Sequence, residues 1–361
     1  MKTVGGDSIH LEIMRIVAIF FVIFNHTAKN GFWLFSWYPP DSFQYWTYLF
    51  LSVFCKFSVP LFFAISGALL LGNDQESIRT VWAKRILKIL VVLVAFSFLY
   101  FLRSCVTENQ PINFYEFIIR LYQSNWNYSF WYLYVFLAYL MCLPFLRVLV
   151  KGLTKKHYYY LIGMSLAFDG ILPVLQYLLW NGTVALNGDI NVSSITGMVT
   201  LYPCIGYFLE HKLNLQNCSK KLVALWGANF LCIAMSCYMT YYKSIVTGDI
   251  YEWTSQIFFN SFVLVNCITI FISVKYWFQK IVVPNFWERL VCSMGASVFT
   301  VYLMHVGIME SSAFCKIWIV FHEKWHLNYM ASAFLFCFLV LAAGYLITLV
   351  IRVLFNCMGI K

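Results

Sequence analysis

The chain has 361 residues, of which 61% are hydrophobic, 20% aromatic and only 11% charged, with a formal net charge of +10 and a mean hydropathy of +0.74. A soluble fold of this length has no interior large enough to hide so many apolar side chains, so composition excludes a soluble globular protein and implies an all-α, polytopic transmembrane bundle. The positive charge then reads as membrane topology and affinity for anionic headgroups, not as a reason to invoke nucleic acid.

About ten apolar stretches are long enough to cross ~30 Å of hydrocarbon: 10–30, 43–71, 84–104, 128–150, 157–179, 194–210, 222–242, 254–276, 290–312 and 329–355, the sixth being the weakest. The first carries Glu12, Arg15 and His26. From Arg15 to His26 the helix turns through ~1100°, three turns and a little more, so both side chains leave one face ~16 Å apart along the axis. Two ionisable groups on one stripe, each costing at least ~2.5 kcal/mol if unpaired in hydrocarbon, imply a polar cavity or a polar partner helix. The stretch contains Arg15 and lacks a small-residue cleavage site after a short apolar core, so it reads as retained rather than as a signal peptide.

The second stretch holds Lys56-Phe57-Ser58-Val59-Pro60 and, further on, Ser66-Gly67. A lysine four residues before a mid-membrane proline predicts a kinked, polar segment lining a cavity; a snorkelling lysine at a packing kink, with Ser66-Gly67 allowing close helix approach, is the plainer reading. The longest loops are 105–127 and 180–193. The fifth stretch contains Asp169, either an ion-pair partner for Lys56 or a ligand for a sugar hydroxyl. The ninth contains Tyr302 and His305, the second intramembrane imidazole: an acid/base, an oxyanion donor, an acceptor ligand or a satisfied core histidine. Glu310 and the aromatics Trp33, Trp37, Tyr38, Trp126 and Trp180 could stack on a sugar, although interfacial belts of Trp and Tyr need no ligand.

Between the last two stretches, His322-Glu323-Lys324-Trp325-His326 matches the His-Glu-x-x-His zinc signature. It reads as coincidence, because no Asp, Glu or His follows His326 to supply a third ligand and only Glu310 lies near upstream. The 12 cysteines include no Cys-x-x-Cys pair and sit mostly in apolar stretches, as small buried hydrophobes. Placing the N-terminus inside puts all of the 25 basic residues except Lys29, Lys56, Arg103, Arg120, Lys243, Lys316 and Lys324 on the cytoplasmic side, so both termini are read as cytoplasmic. Short loops and the lack of an internal repeat predict a single membrane domain over 1–361.

Taken together, these stretches resemble acyltransferase family 3, bacterial integral-membrane proteins that acylate hydroxyls of cell-envelope glycans and include the O-acetyltransferase of enterobacterial common antigen. The first stretch is similar to the family's acidic-x-x-Arg, ten residues, His pattern through Glu12, Arg15 and His26. The second is similar to its basic-x-x-Val-Pro pattern through Lys56, Val59, Pro60, Phe62, Phe63, Ile65, Ser66 and Gly67. Phe130-Trp131-Tyr132-Leu133, Gly206-Tyr207 and Tyr302-Leu303-Met304-His305 extend the resemblance over essentially the whole chain. Two departures stand out: Ser129 occupies a position where family members commonly have His, and Glu12 replaces the usual Asp.

The resemblance implies an O-acyltransferase of the bacterial inner membrane that uses acyl-CoA, acetyl-CoA first among donors, with no permanently bound cofactor or metal. His26, Arg15 and His305 form the expected catalytic set, with His26 as general base because its unperturbed pKa of ~6.5 leaves it mostly neutral near pH 7. Arg15, Glu12, Lys56 and Ser66 are expected on the donor side; Trp131, Tyr302 and Asp169 are expected to meet the glycan or lipid-linked glycan acceptor. Arg15 and Glu12 could also be an ordinary i,i+3 pair anchoring the helix. Two other functions compete: a transporter or flippase for a small metabolite or lipid-linked sugar, using the same charges as a path, and an intramembrane zinc protease. Membrane lipids are obligatory partners, and self-association is left open.

Overall fold

The computed structural model describes residues 9–73, 75–215, 218–248, 261–279, 281 and 283–357, and the described residues contain helices and turns but no strands. In chain order the helices are α1 Ile9–Asn25, α2 Phe43–Phe54, α3 Ser58–Leu70, α4 Ile78–Thr107, α5 Phe114–Gln123, α6 Trp131–Gly152, α7 Lys155–Trp180, α8 Ser193–Thr196, α9 Leu201–Tyr207 and α10 Ser219–Thr247. They continue with α11 Ser261–Phe278, α12 Asn285–Gly295, α13 Val298–Met309, α14 Ser312–Ile319 and α15 Tyr329–Cys357. The protein is thus all-α and polytopic.

Of the expected spans, 6 are long, apolar helices: Phe43–Leu70, α4, α6, α7, α10 and α15, and α12 with α13 makes a seventh only if a 59° bend is counted within one span. Two of the others, the first and the sixth, are shorter for local reasons. α1 stops at Asn25 because Thr27 turns back, its hydroxyl donating to the Phe24 carbonyl at 2.7 Å and accepting from the Phe32 amide at 2.9 Å. This places His26 one residue beyond the helix rather than inside it. The sixth stretch is broken into α8, the turn at Gly197–Thr200 and α9; the eighth begins before the described residues of α11.

The described chain forms two compact units, one of residues 1–68 and 154–361, the other of 69–153. In the first, α1 is central, packed against α11, α12, α13, α15 and the tight turn at Cys55–Phe57. Met14, Ala18, Ile19, Ile23 and Phe24 are fully buried. Because α1 is ringed by protein, its ionisable stripe faces neighbours and not lipid, as membrane cost demands. In lipid, helix association relies on close packing more than on apolar transfer. Phe24 accordingly stacks on Phe334 of α15 with centroids 5.2 Å apart. Glycines let α3 and α9 touch backbone to backbone: a methyl at Gly67 would overlap Pro203, and one at Gly206 would overlap Ala64.

In the second unit, α4 packs on α5 and α6 around Phe101, Phe117 and Trp126. The stretch expected as loop contains α5, since the Asn113 side chain caps the Tyr115 and Glu116 amides at 3.1 and 3.3 Å and Phe114, Phe117, Ile118 and Leu121 recur at helical spacing. Between α3 and α4, Glu76 accepts from Arg147 at 2.6 Å and from Arg85 at 2.9 and 3.0 Å. Arg147 also donates to the Leu70 carbonyl at 3.0 Å.

Candidate functional site

The site is assembled where three helices are interrupted. The predicted kink ahead of Pro60 is a 3₁₀ turn at Cys55–Phe57, and Pro60 falls in the first turn of α3, where its missing amide costs no helix bond. The interruption leaves polar groups that neighbouring side chains satisfy: Asn266 of α11 donates to the Phe54 carbonyl at 2.7 Å, the Asn25 side chain donates to the Ser58 hydroxyl at 3.1 Å, and the Cys55 thiol donates to the Asn25 side-chain Oδ1 at 3.1 Å. Buried backbone groups at membrane depth require such partners. This fixes the end of α1, and with it His26, against the kink.

The kink carries Lys56, whose ammonium lies 4.3 Å from the Phe32 ring centroid and within electrostatic range of His26. Ser66, expected on the donor side, instead donates to the Phe62 carbonyl of its own helix at 2.8 Å, so its hydrogen is committed locally.

His26 and His305, 279 positions apart by number, meet with ring centroids 5.1 Å apart and planes at 36°. His305 is completely buried in α13. Its Nδ1 lies 2.5 Å from the Tyr302 carbonyl oxygen, and a carbonyl can only accept, so Nδ1 carries the proton and neutral His305 has its lone pair on Nε2. That Nε2 is buried and without a hydrogen-bond partner among the described residues. A neutral His305 is therefore an acceptor at this atom and cannot serve as an oxyanion donor there. Tyr302 contributes its carbonyl to this arrangement and its ring at 5.7 Å from the imidazole.

Arg15 and Glu12 sit toward the other end of α1. Arg15 donates to one Glu12 oxygen at 2.7 Å, while the second is buried without a hydrogen-bond partner among the described residues, against Gly295 at the end of α12. A side chain at 295 would overlap Glu12, so the glycine is what lets α12 close over the pair. Two residues on, where α12 bends into α13, Ser297 accepts from Arg352 of α15 at 3.1 Å. Arg352 was not among the expected site residues; lying near the end of an apolar stretch, it carries no spacing signal.

Asp169 is paired with a hydroxyl and not with Lys56: Ser165 donates to it at 3.1 Å, and Thr196, whose own hydroxyl donates to the Val192 carbonyl at 3.2 Å, lies beside it. Trp131 begins α6 in the second unit, where Ser129, the residue in place of the family's His, donates from amide and hydroxyl to Asn127 at 2.8 and 2.7 Å.

The His-Glu-x-x-His segment does not form a two-histidine helical face. The helical turn ends at Lys324 and His326 adopts φ +48°, so the pair lacks the one-turn spacing that zinc ligation on a helix needs. His322 instead lies against Tyr329, centroids 4.2 Å apart, and burial holds its pKa below the ordinary imidazole value. No group of three or more His, Cys, Asp and Glu able to hold a metal occurs among the described residues.

No curated protein and no solved structure matches this chain. The family model described as an acyltransferase domain, that of acyltransferase family 3, does match, over residues 9–349. It runs through the α1 stripe, the kink and the His305 helix, and the chain therefore belongs to acyltransferase family 3.

Proposed function

We propose that the chain acts as one membrane domain that moves an acyl group, acetyl in the first instance, from cytoplasmic acyl-CoA to a hydroxyl of a cell-envelope glycan or lipid-linked glycan in a bacterial inner membrane. The observation that carries this reading is the juxtaposition of His26 with a His305 whose lone pair is fixed on a buried nitrogen. Acyl transfer to an alcohol needs a base where the hydroxyl proton leaves and positive charge where carbonyl charge develops.

His26 takes the hydroxyl proton as the oxygen attacks the thioester carbonyl. The new C–O bond forms, the C–S bond breaks, and the departing CoA thiolate collects the proton from His26. His305 Nε2 accepts from an N–H of His26 or from the incoming hydroxyl, orienting whichever it holds. Lys56, beside His26, supplies positive charge near the developing oxyanion. Arg15, held by Glu12, grips phosphate or the thioester end of the donor with a planar fork.

The test is CoA release from acetyl-CoA by detergent-purified protein given acceptor. His26→Ala is expected to lower turnover by ~10² to 10⁴ while expression stays normal. A mutant retaining more than about half of wild-type turnover would return His26 to a packing role. Counterflow of a sugar in liposomes without CoA would favour the transporter reading instead.

A further inference from the structure

A second polar site lies beside Asp169, and we propose that it holds a hydroxyl-bearing sugar ring of the acceptor; the assignment to an acceptor rests on the acyl-transfer reading above. Midway along α7 the helix widens into a π turn at Leu166–Ile171. Such turns concentrate at functional positions. This one places the Asp169 carboxylate at the wall of a cavity of about 170 Å³, with Ser165, Ser193, Thr196, Met198 and Tyr202 among its lining residues. At ~30 Å³ of liquid volume per water, that is room for roughly five waters or one small ring, and far too little for a nucleotide.

The lining selects the ligand's chemistry. Among the described residues no Lys or Arg lines the cavity, so a phosphate would meet a carboxylate with no cation beside it and be repelled. An acyl chain would leave the remaining acceptor positions of the carboxylate unmatched, which is costly. A sugar ring suits it: an ionised Asp accepts at two oxygens with about four lone-pair positions, more than Ser165 uses. Its free capacity matches a pair of adjacent ring hydroxyls. Ser193 and Thr196, whose hydroxyls donate to Asn191 and to the Val192 carbonyl, can accept from a third, and Met198 and Tyr202 offer surface to the ring's C–H face.

The location also fits an acceptor. α8 and Gly197, which close the cavity, follow the 181–192 segment that the charge distribution places outside. α11 packs against the π turn that bears Asp169 and also against α1 and the Cys55–Phe57 turn, so one helix links the element that walls the cavity to the elements that position His26. Neither histidine lines the cavity, so the two can be tested apart.

The experiment is ligand-induced thermal stabilisation of the full-length protein in detergent, without acyl-CoA, using glucose, galactose and N-acetylglucosamine as probes and ethanolamine as a cationic control. At least one sugar is expected to stabilise the wild type at millimolar concentrations. Asp169→Asn is expected to weaken that response by tenfold or more, and Ser193→Ala, at an exposed position where misfolding is not a concern, by about threefold to tenfold. His26→Ala should respond like wild type, so binding stands or falls independently of turnover. Stabilisation by no sugar, by ethanolamine alone, or to an equal degree in wild type, Asp169→Asn and Ser193→Ala would each overturn the proposal.

Discussion

His305 shows how much one backbone contact can decide. From sequence the imidazole had four open roles; the Tyr302 carbonyl at its Nδ1 reduces them by placing the lone pair on Nε2. His305→Asn can keep a donor toward that carbonyl while deleting Nε2, so we expect turnover to fall by ~10² or more with normal expression. Unchanged turnover in His305→Asn would show that only the carbonyl contact matters. Arg15 offers a parallel case. Arg15→Lys preserves charge but not the planar fork, which donates to Glu12 and in the proposed reading also to the donor, and the expected defect is a weaker donor constant in acyl-CoA titrations with acceptor affinity little changed. Equal donor constants would leave Arg15 as an interfacial anchor. The eleven-residue spacing of Arg15 and His26 was legible because helical periodicity is local. The approach of His26 to His305 was not, since no periodicity links residues on separate helices.

At the scale of elements, the interruptions of helices position the candidate site residues, and they differ in how openly the sequence declares them. Pro60 announces the kink at Cys55–Phe57. The π turn around Asp169 has no proline ahead of it, only Gly163 before it, Gly170 within it and Pro173 after it, none of which specifies a widened turn, and the bend between α12 and α13 falls at Ala296-Ser297 without a breaker beyond Gly295. The zinc-like motif misleads for the same reason: its spacing assumes a helix that in fact ends at Lys324. His322→Ala combined with His326→Ala is therefore expected to leave turnover largely intact, with zinc well below one per chain by elemental analysis of wild type. Stoichiometric zinc lost on mutation would revive the protease reading. Packing gives a second check. Gly67→Ala forces a methyl into the Pro203 backbone, which cannot rotate away, so ~1 to 3 kcal/mol of destabilisation is expected. Gly163, in a helix with nothing within 4 Å of its added Cβ, should gain ~0.5 to 1 kcal/mol on substitution by Ala. Thermal unfolding of the two variants should move in opposite directions.

For the whole molecule, composition alone was enough to read an all-α membrane protein, while among the described residues 6 of the ten expected stretches form long, apolar helices. Apolar content does not report where a helix stops. The division into two units was also silent in the sequence, and the 69–153 unit contains the Glu76, Arg85 and Arg147 cluster. Burial by itself would raise the Glu76 pKa, but hydrogen bonds and charge from Arg147 and Arg85 outweigh it and hold the carboxyl below its ordinary range. A carboxyl whose pKa is lower in the folded than in the unfolded state binds fewer protons when folded. Its stabilising contribution is therefore complete above the unfolded pKa of ~4.3 and is lost as pH falls through the folded value. Unfolding of wild type in detergent should accordingly be flat near neutrality and weaken below about pH 4.3. Glu76→Gln removes the titration and leaves Arg147, itself buried, without its charge partner. The variant should be destabilised at neutral pH, by up to ~3 to 5 kcal/mol if the arginine stays dry, and should show a shallower acid limb than wild type. Thermal unfolding of both proteins from pH 7 to pH 3, read by limited proteolysis within residues 69–153, measures both effects. An acid limb as steep in Glu76→Gln as in wild type would assign the sensitivity to another carboxylate and reduce the Glu76 cluster to a neutral-pH clamp.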